Sequence, residues 1–501
     1  MNTEKSSERF YTKRFFLIVI ALYLLLRLPL NVWIPLLDPS EARYAQICKN
    51  MAETGNYLEP QFIYDGELTV FEGKPPLAFQ MGAISCRLFG VAKFAVRFPA
   101  FLSALLIVCM TYYTARRLRN EKTAIFASLF CVSTIVFYLY AGLCMTDMVL
   151  AATVIGMIDS YILFVSEEPG RRKKFYSLGL FVFAGLGMIA KGPVALVMAG
   201  LPIFFYILLN RRWRELGQIA WFYGIPLFAV ITVPWYWMIT QKHPDFLEYF
   251  FVNENFKRFL FKDYGDKFGV GRESFRGMAV IWFFLANIPN LVLIFLTFHR
   301  NKAAEKPAVP LLSDPLTALP LFGFVTVTLF WSLTSRVLIT YLLPTIPCFC
   351  LFLAVRLNEQ GWFERTGFMA YLRYSSLLFA FVLAGGFIAA VPVSVRYTTE
   401  LAEPIYRQIE TIRSQTPELQ NSPIYFNRVT PFSANFHCPE WVVNHGPEKA
   451  AVSLENSKNA FFIVREKDQR RDPVEIDRPL LFQSGKWSVY APERKKLIIS
   501  D

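Results

Sequence analysis

Eleven apolar runs, at 14–34, 94–115, 123–141, 144–165, 175–190, 193–209, 217–239, 278–298, 316–333, 337–355 and 371–394, constrain what this chain can fold into. Crossing roughly 30 Å of hydrocarbon takes about 20 apolar residues in a helix, because no water is present there to satisfy backbone N–H and C=O groups. With 54% hydrophobic and only 18% charged residues, the composition agrees with the runs. The chain therefore reads as a polytopic α-helical membrane protein with about eleven transmembrane helices. The fifth and sixth runs are short and closely joined, so their limits are the least defined.

Charge sets the topology. With the N-terminus in the cytoplasm, the cytoplasmic segments are "RRLRNEK" at 116–122, "RRKK" at 171–174, "NRRWR" at 210–214, "HRNKAAEK" at 299–306 and the stretch from Arg356 to Arg373. All are basic, which is the positive-inside bias. The net charge of +13 is then mostly topogenic, and a nucleic-acid partner is not expected. The same count places 35–93, 240–277 and everything after about 396 on the outer side. The expected organisation is a membrane domain over 1–395, with two outer loops, and a small outer α/β domain over 396–501. The opening "TEKSSERFYTKRFF" leads into an apolar run without a small-residue cleavage site, so an uncleaved first helix is expected. Eight Cys without a CxxC and only four His give no zinc-ligand spacing, and the thiols read as structural.

Between the runs, Ser40 opens a helical pattern in which Tyr44, Ile47, Cys48 and Met51 share one face, and Gly55 closes it. Such a helix suits the membrane surface, apolar stripe down and polar face toward water. "YLEPQFIYDGELTVFEGKPPLAFQ" follows as an irregular loop leading to a second amphipathic segment up to Gly90, and 240–277 reads as a folded or ligand-ordered loop. Late in the chain "SPIYFNR", "WVVNH", "AFFIVREK", "PLLFQ" and "WSVYAPE" are strand-like, and "EKAAVSLENSK" is helix-like. No internal repeat is present, which argues against a secondary transporter.

This topology gathers ionisable groups at the outer boundary: Asp38, Glu41 and Arg43, then Glu72 and Lys74, Asp147, Lys191, Arg258 and Arg336. Charges at or near the bilayer cost several kcal/mol unless paired or hydrated, so use in function is the default reading. For Glu41, Arg43 and Glu72, anchoring at the interface explains the charge equally well. Asp147 has no cation near it in sequence and is expected to face a hydrated cavity. Lys191, between two apolar helices, reads as functional, and Arg27, within the first apolar run, reads equally as a buried partner for an acid. Cations beside carboxylates at a membrane edge suit a substrate with an anionic head and a lipid tail. No Ser-His-Asp arrangement and no phosphate-binding glycine loop is evident.

"DPSEARYA…M…GNYLEP…KPPLAFQ", "LFG…AVRFPAFLSAL", "MTD" before a helix, "GLGMIAKGPVAL", "EYFFVNENFKRF" and "FWSLTSRVLITYLLPTIP" occur in that order over roughly 14–356. Together they resemble the bacterial GT-C glycosyltransferases, within them the aminoarabinose lipid A transferases and their protein mannosyltransferase-related relatives. The resemblance implies transfer of one sugar from a polyprenyl phosphate, typically undecaprenyl phosphate, to a lipid acceptor such as lipid A or to a protein, on the periplasmic side of the bacterial inner membrane. It implies Glu41 as the acid of the first-loop motif, with Ser40 where a second acid is usual and Asp38 as its substitute. Lys74 matches the lysine before proline that contacts donor phosphate, Asp147 the acid opening the fourth helix, and Tyr341 the late tyrosine. Arg258, Arg336, Lys191 and Arg43 are further substrate contacts. The family's possible metal ligands, a Glu directly before the lysine and a later His, are replaced by Gly73 and Asn255, with Glu72 one position off. That weighs against a divalent metal, and against aminoarabinose as the sugar.

The implied reaction is a single displacement at the anomeric carbon. Lys74, with Lys191, Arg258 or Arg336, stabilises the departing phosphate; Asp147, or Asp38 with Glu41, orients or deprotonates the acceptor. Protein O-glycosylation on the same fold is the alternative, and a lipid or ion-coupled transporter the reading from another class. The residues after 396 cover the site or bind the acceptor, or equally serve as a stability or docking module.

Overall fold

The computed structural model describes residues 26–64, 67–261, 267–268, 273–288, 290–291, 311–361, 403–427, 430–438, 442–443, 460–471 and 476–492. The chain divides into two compact units: Met1–Asn31, Glu72–Ala78 and Arg97–Gly386 form the first, and Val32–Phe71, Phe79–Val96 and Phe387–Asp501 the second. Among the described residues, six helices are long and apolar enough to cross a membrane: Lys93–Leu118, Thr146–Ser166, Arg171–Lys191, Trp221–Lys242, Pro315–Ser332 and Ile339–Glu359. This is a membrane protein. The last apolar run, 371–394, and parts of the first and eighth lie outside the described residues.

In the first unit the Thr146–Ser166 helix is the hub, with 94% of its apolar window buried. It packs most extensively against Arg171–Lys191, then Val194–Asn210 and Pro315–Ser332. Between apolar helices in lipid, close van der Waals approach replaces the hydrophobic drive, and small residues allow it. A Cβ on Gly156 would come within 2.4 Å of the Phe183 ring, and one on Gly187 within 2.8 Å of Ala195. The run at 123–141 does not form one helix. It breaks at Thr134, which is extended between Glu121–Ser133 and Ile135–Tyr140. Side chains make the break tolerable: the Phe130 carbonyl accepts from Ser133 Oγ at 3.0 Å and Thr134 Oγ1 at 3.0 Å, and Asn290 Nδ2 donates to Thr134 Oγ1 at 3.2 Å.

The second unit corrects two expectations. The Ser40–Thr54 helix is no surface helix with a wet face: Glu41, Gln46 and Lys49 are buried along with its apolar stripe. It packs on the Phe432–His437 helix, where Lys49 Nζ donates to the Phe436 carbonyl at 2.8 Å. Gly55 ends it in the left-handed region, φ 74°, its N–H returning to the Met51 carbonyl. The stretch taken for an irregular loop holds a hairpin, β1 (Gln61–Tyr64) paired antiparallel with β2 (Glu67–Val70) from Gln61↔Val70 to Tyr64↔Glu67.

Further along, β3 (Ile424–Phe426), β4 (Val442–Val443), β5 (Phe461–Arg465), β6 (Leu480–Ser484) and β7 (Trp487–Tyr490) form a sheet ordered β4-β3-β5-β7-β6. β3 runs parallel to β4 and β5, while β7 is antiparallel to β5 and β6. Ile405 and Ile409 of the Glu403–Gln415 helix share a core with Ile424, Phe426, Phe461, Ile463 and Val489. The helix-like "EKAAVSLENSK" lies outside the described residues.

Candidate functional site

Two helix ends of opposite polarity begin the site. Asp147 sits in the first turn of Thr146–Ser166 and Lys191 in the last turn of Arg171–Lys191, each carrying the charge its helix dipole favours. Gly192 stops the second helix at φ 82°, with a Cβ there meeting the Phe250 ring at 2.6 Å, so the turn into Val194–Asn210 holds Lys191 at a fixed depth. Lys191 Nζ and Asp147 Oδ1 are 2.5 Å apart and both residues are buried. The cation missing from the sequence around Asp147 is therefore supplied 44 residues away, and the expectation of a carboxylate facing a hydrated cavity gives way to a buried ion pair.

Lys191 also stands over the Tyr341 ring, 4.2 Å from its centroid. Tyr341 lies on a 3-10 turn, Ile339–Leu342, which opens the Ile339–Glu359 helix and leaves the ring against Trp331 at 4.5 Å. Its hydroxyl accepts from Arg258 Nη2 at 3.4 Å. Arg258 follows a π-helical segment, Glu248–Lys257, an uncommon winding that recurs at functional sites.

Glu254 on that segment is the residue the sequence reading missed. Its Oε2 accepts from Arg258 Nη1 at 2.7 Å and Lys74 Nζ at 3.2 Å, and its Oε1 from the Tyr249 hydroxyl at 3.2 Å. Only the four-residue spacing to Arg258 hinted at it. Lys74 also donates to the Gly73 carbonyl at 2.6 Å. Arg336 lies 3.5 Å from Glu273, on a stretch pinned to the 332–335 turn by Ser274 N–H to Ser335 O at 2.7 Å.

These groups surround a cavity of about 450 Å³, lined by the cations Lys74, Lys191, Arg258 and Arg336, the carboxylate Glu254, and apolar side chains including Phe251, Phe256, Phe259, Phe330 and Trp331. Among the described lining residues four are cations and one is an acid, while Asp147 and Glu273 pair with Lys191 and Arg336, so the cavity suits an anion beside an apolar chain. Burial pushes the Lys74 ammonium down to about 8, with Arg258 and Lys191 adding to the effect and Glu254 opposing it. Burial alone would raise the Glu254 carboxyl, but Lys74 and Arg258 hold it below its ordinary value.

The remaining expected residues fall in other surroundings. Asp38, Glu41 and Arg43 belong to the second unit. Asp38 Oδ1 accepts from the Ser433 N–H at 3.1 Å and Glu41 Oε2 from the Leu37 N–H at 3.0 Å. The Arg43 guanidinium stacks among the rings of Phe71 at 4.8 Å, Tyr44 at 5.6 Å and Phe432 at 5.7 Å. Glu72 pairs with Lys267 at 2.6 Å, and Asn255 Nδ2 donates to the Phe250 carbonyl at 2.7 Å. Among the described residues no three of His, Cys, Asp and Glu gather as metal ligands.

Residues 12–250 match the family model described as dolichyl-phosphate-mannose-protein mannosyltransferase. The crystal structure of ArnT from Cupriavidus metallidurans bound to undecaprenyl phosphate superposes with a TM-score of 0.73 at 16% identity, covering 95% of this chain and 97% of that one. The chain has the GT-C fold. The archaeal oligosaccharyltransferase AglB from Archaeoglobus fulgidus, in complex with an inhibitory peptide and a dolichol-phosphate, shares it more distantly, with a TM-score of 0.55 at 11% identity over 92% of this chain and 70% of that one. In sequence, the undecaprenyl phosphate-alpha-4-amino-4-deoxy-L-arabinose arabinosyl transferase of Yersinia enterocolitica is 28% identical over 339 residues, 65% of this chain and 56% of the relative. That of Yersinia pestis is 28% identical over 351 residues, 68% of this chain and 58% of the relative. The GT-C chain thus spans less than two thirds of the length of these relatives, and the resemblance carried by its motifs is borne out.

Proposed function

We propose that this GT-C protein is a polyprenyl-phosphate-sugar-dependent glycosyltransferase that moves a single sugar from an undecaprenyl phosphate donor to a lipid acceptor such as lipid A. The observation that carries the reading is the cavity in which Lys74, Lys191, Arg258 and Arg336 face one carboxylate within an apolar, aromatic wall. A phosphate on a polyprenyl chain has that combination of charge and grease.

In the reaction the bond between the anomeric carbon and the donor phosphate oxygen breaks, its electron pair staying on that oxygen, as the acceptor oxygen bonds to the carbon. Charge grows on the departing phosphate, where fixed cations in a water-poor site stabilise it most. Asp147 acts through Lys191, holding its ammonium at the cavity wall. A phosphate acceptor is already anionic and needs little base. A hydroxyl acceptor needs one, and Asp147, joined to the cavity cation Lys191, is the carboxylate assigned that part.

The same proposal places 35–93, 240–277 and 396–501 on the periplasmic face of the inner membrane, with eleven spans over 1–395 and an α/β region after 396. Single-cysteine labelling from either side of the membrane tests that orientation.

The activity test is mass spectrometry of lipid A incubated with undecaprenyl phosphate-linked sugar and the protein in nanodiscs. A sugar-sized increment with wild type and its loss in Lys74→Ala are expected; an intact donor and unmodified lipid with active-fold protein would overturn the reading. The description of the family matched over 12–250 favours one second reading, a protein acceptor, and a peptide arm in the same assay addresses it.

A further inference from the structure

Among the described residues Glu254 is the one carboxylate lining the cavity, and a site made only to hold phosphate gains nothing from it. Its side chain is 4% exposed, and one oxygen, Oε2, is shared by Lys74 at 3.2 Å and Arg258 at 2.7 Å. Its other oxygen takes the Tyr249 hydroxyl. An anionic oxygen held between two cations is the position a phosphate oxygen would take. Glu254 already fills one such position with a fixed negative charge.

The reaction proposed above, on which this inference rests, changes the charge of the bound phosphate. The donor is a phosphodiester, with one negative charge and two free oxygens. The product is a monoester with three free oxygens and a charge of about −1.5 to −2 at pH 7. Without Glu254 the cavity cations would grip the product more tightly than the donor and make release slow, as it is in many enzymes.

We propose that Glu254 sets specificity between these two states. Its carboxylate stands where a third phosphate oxygen would be held, leaves the cations able to bind the two oxygens of a polyprenyl phosphodiester, and repels the extra charge of the polyprenyl phosphate monoester. Glu254 thereby discriminates for substrate and against product.

The experiment measures equilibrium binding of undecaprenyl phosphate and of its glycosylated diester to the full-length protein in nanodiscs. Glu254→Gln raises the ratio of monoester to diester affinity about tenfold relative to wild type. In turnover it lowers kcat with strengthened product inhibition, while Glu254→Asp keeps the wild-type ratio. Because Glu254→Gln removes the negative charge beside both Lys74 and Arg258, the comparison is repeated in a background without one of those cations. Adding Glu254→Gln to Lys74→Gln raises the same ratio by a similar factor. An unchanged ratio in either background, or a parallel loss of both affinities, overturns the inference and leaves Glu254 as a residue that only aligns Lys74 and Arg258. Wild-type protein that binds neither ligand overturns the transferase reading itself, a distinct result.

Discussion

The first-loop helix of the second unit and the cavity of the first unit look alike in sequence, each a cluster of acids and bases beside an apolar run. In the first, the charges are committed inward: Asp38 and Glu41 accept backbone N–H groups, Lys49 donates to the Phe436 carbonyl, and Arg43 stacks on aromatic rings. In the second, four cations border open volume with one carboxylate among them. Charge at a membrane edge does not by itself mark chemistry. Cations that line open volume do, even where an acid pairs with them, because a ligand that enters meets them directly.

The sharpest way to break this comparison is at the Asp147–Lys191 pair. Removing one partner leaves the other buried and unpaired, at a cost of about 3–5 kcal/mol. Asp147→Asn or Lys191→Met is therefore expected to lower both thermal stability and transfer, the latter by about 10²–10³-fold. The double variant should recover most of the stability and none of the activity. Recovery of activity in the double variant would make the pair structural, and the cavity no different from the first-loop helix.

A second contrast sets Lys74→Ala against Lys49→Ala. Loss of Lys74 is expected to reduce kcat/KM about 10²-fold with a modest change in stability. Loss of Lys49 removes one buried hydrogen bond, about 1–2 kcal/mol, and leaves kcat/KM of the folded fraction unchanged. Titration separates the two further. Only protonated Lys74 holds an anion, and burial brings its pKa down to about 8. Donor affinity should be full below that pH and fall as pH rises through it, with the fall displaced upward in the complex because bound phosphate restores the ammonium. Lys74→Arg should remove the fall, since a guanidinium stays charged.

Much of this was legible from residue order, and what was not has a physical reason. The helices follow from apolar runs, and Lys74, Lys191, Arg258, Arg336 and Tyr341 were all named before they were seen around one cavity. The break at Thr134 was hidden because its stabilising partner, Asn290, is 156 residues away. Amphipathicity told which face of Ser40–Thr54 is apolar but not that protein covers the polar face as well; that cover comes from Phe436, 387 residues on. Glu254 was missed for the same reason, since its decisive partner Lys74 lies 180 residues earlier. Residue type is local information, whereas pairing is set by the fold.

Asp38 gives the smallest effect and tests the other side of the comparison. Burial raises its carboxyl from 3.8 to about 6, against the opposing hydrogen bonds from Ser433 and Phe432. A group that binds its proton more tightly when folded stabilises the protein most when protonated. This contribution is complete below about pH 4, declines as pH rises toward 6, and is absent above. Asp38→Asn keeps an acceptor oxygen for the Ser433 N–H and removes the charge. It should raise stability at pH 7 by up to about 1 kcal/mol, and by nothing at pH 4. Thermal unfolding at the two pH values, beside a transfer assay, measures both halves of the claim. If Asp38→Asn stays folded but abolishes transfer, Asp38 takes part in the chemistry, and the line drawn between inward-committed and cavity-facing charges fails at that residue.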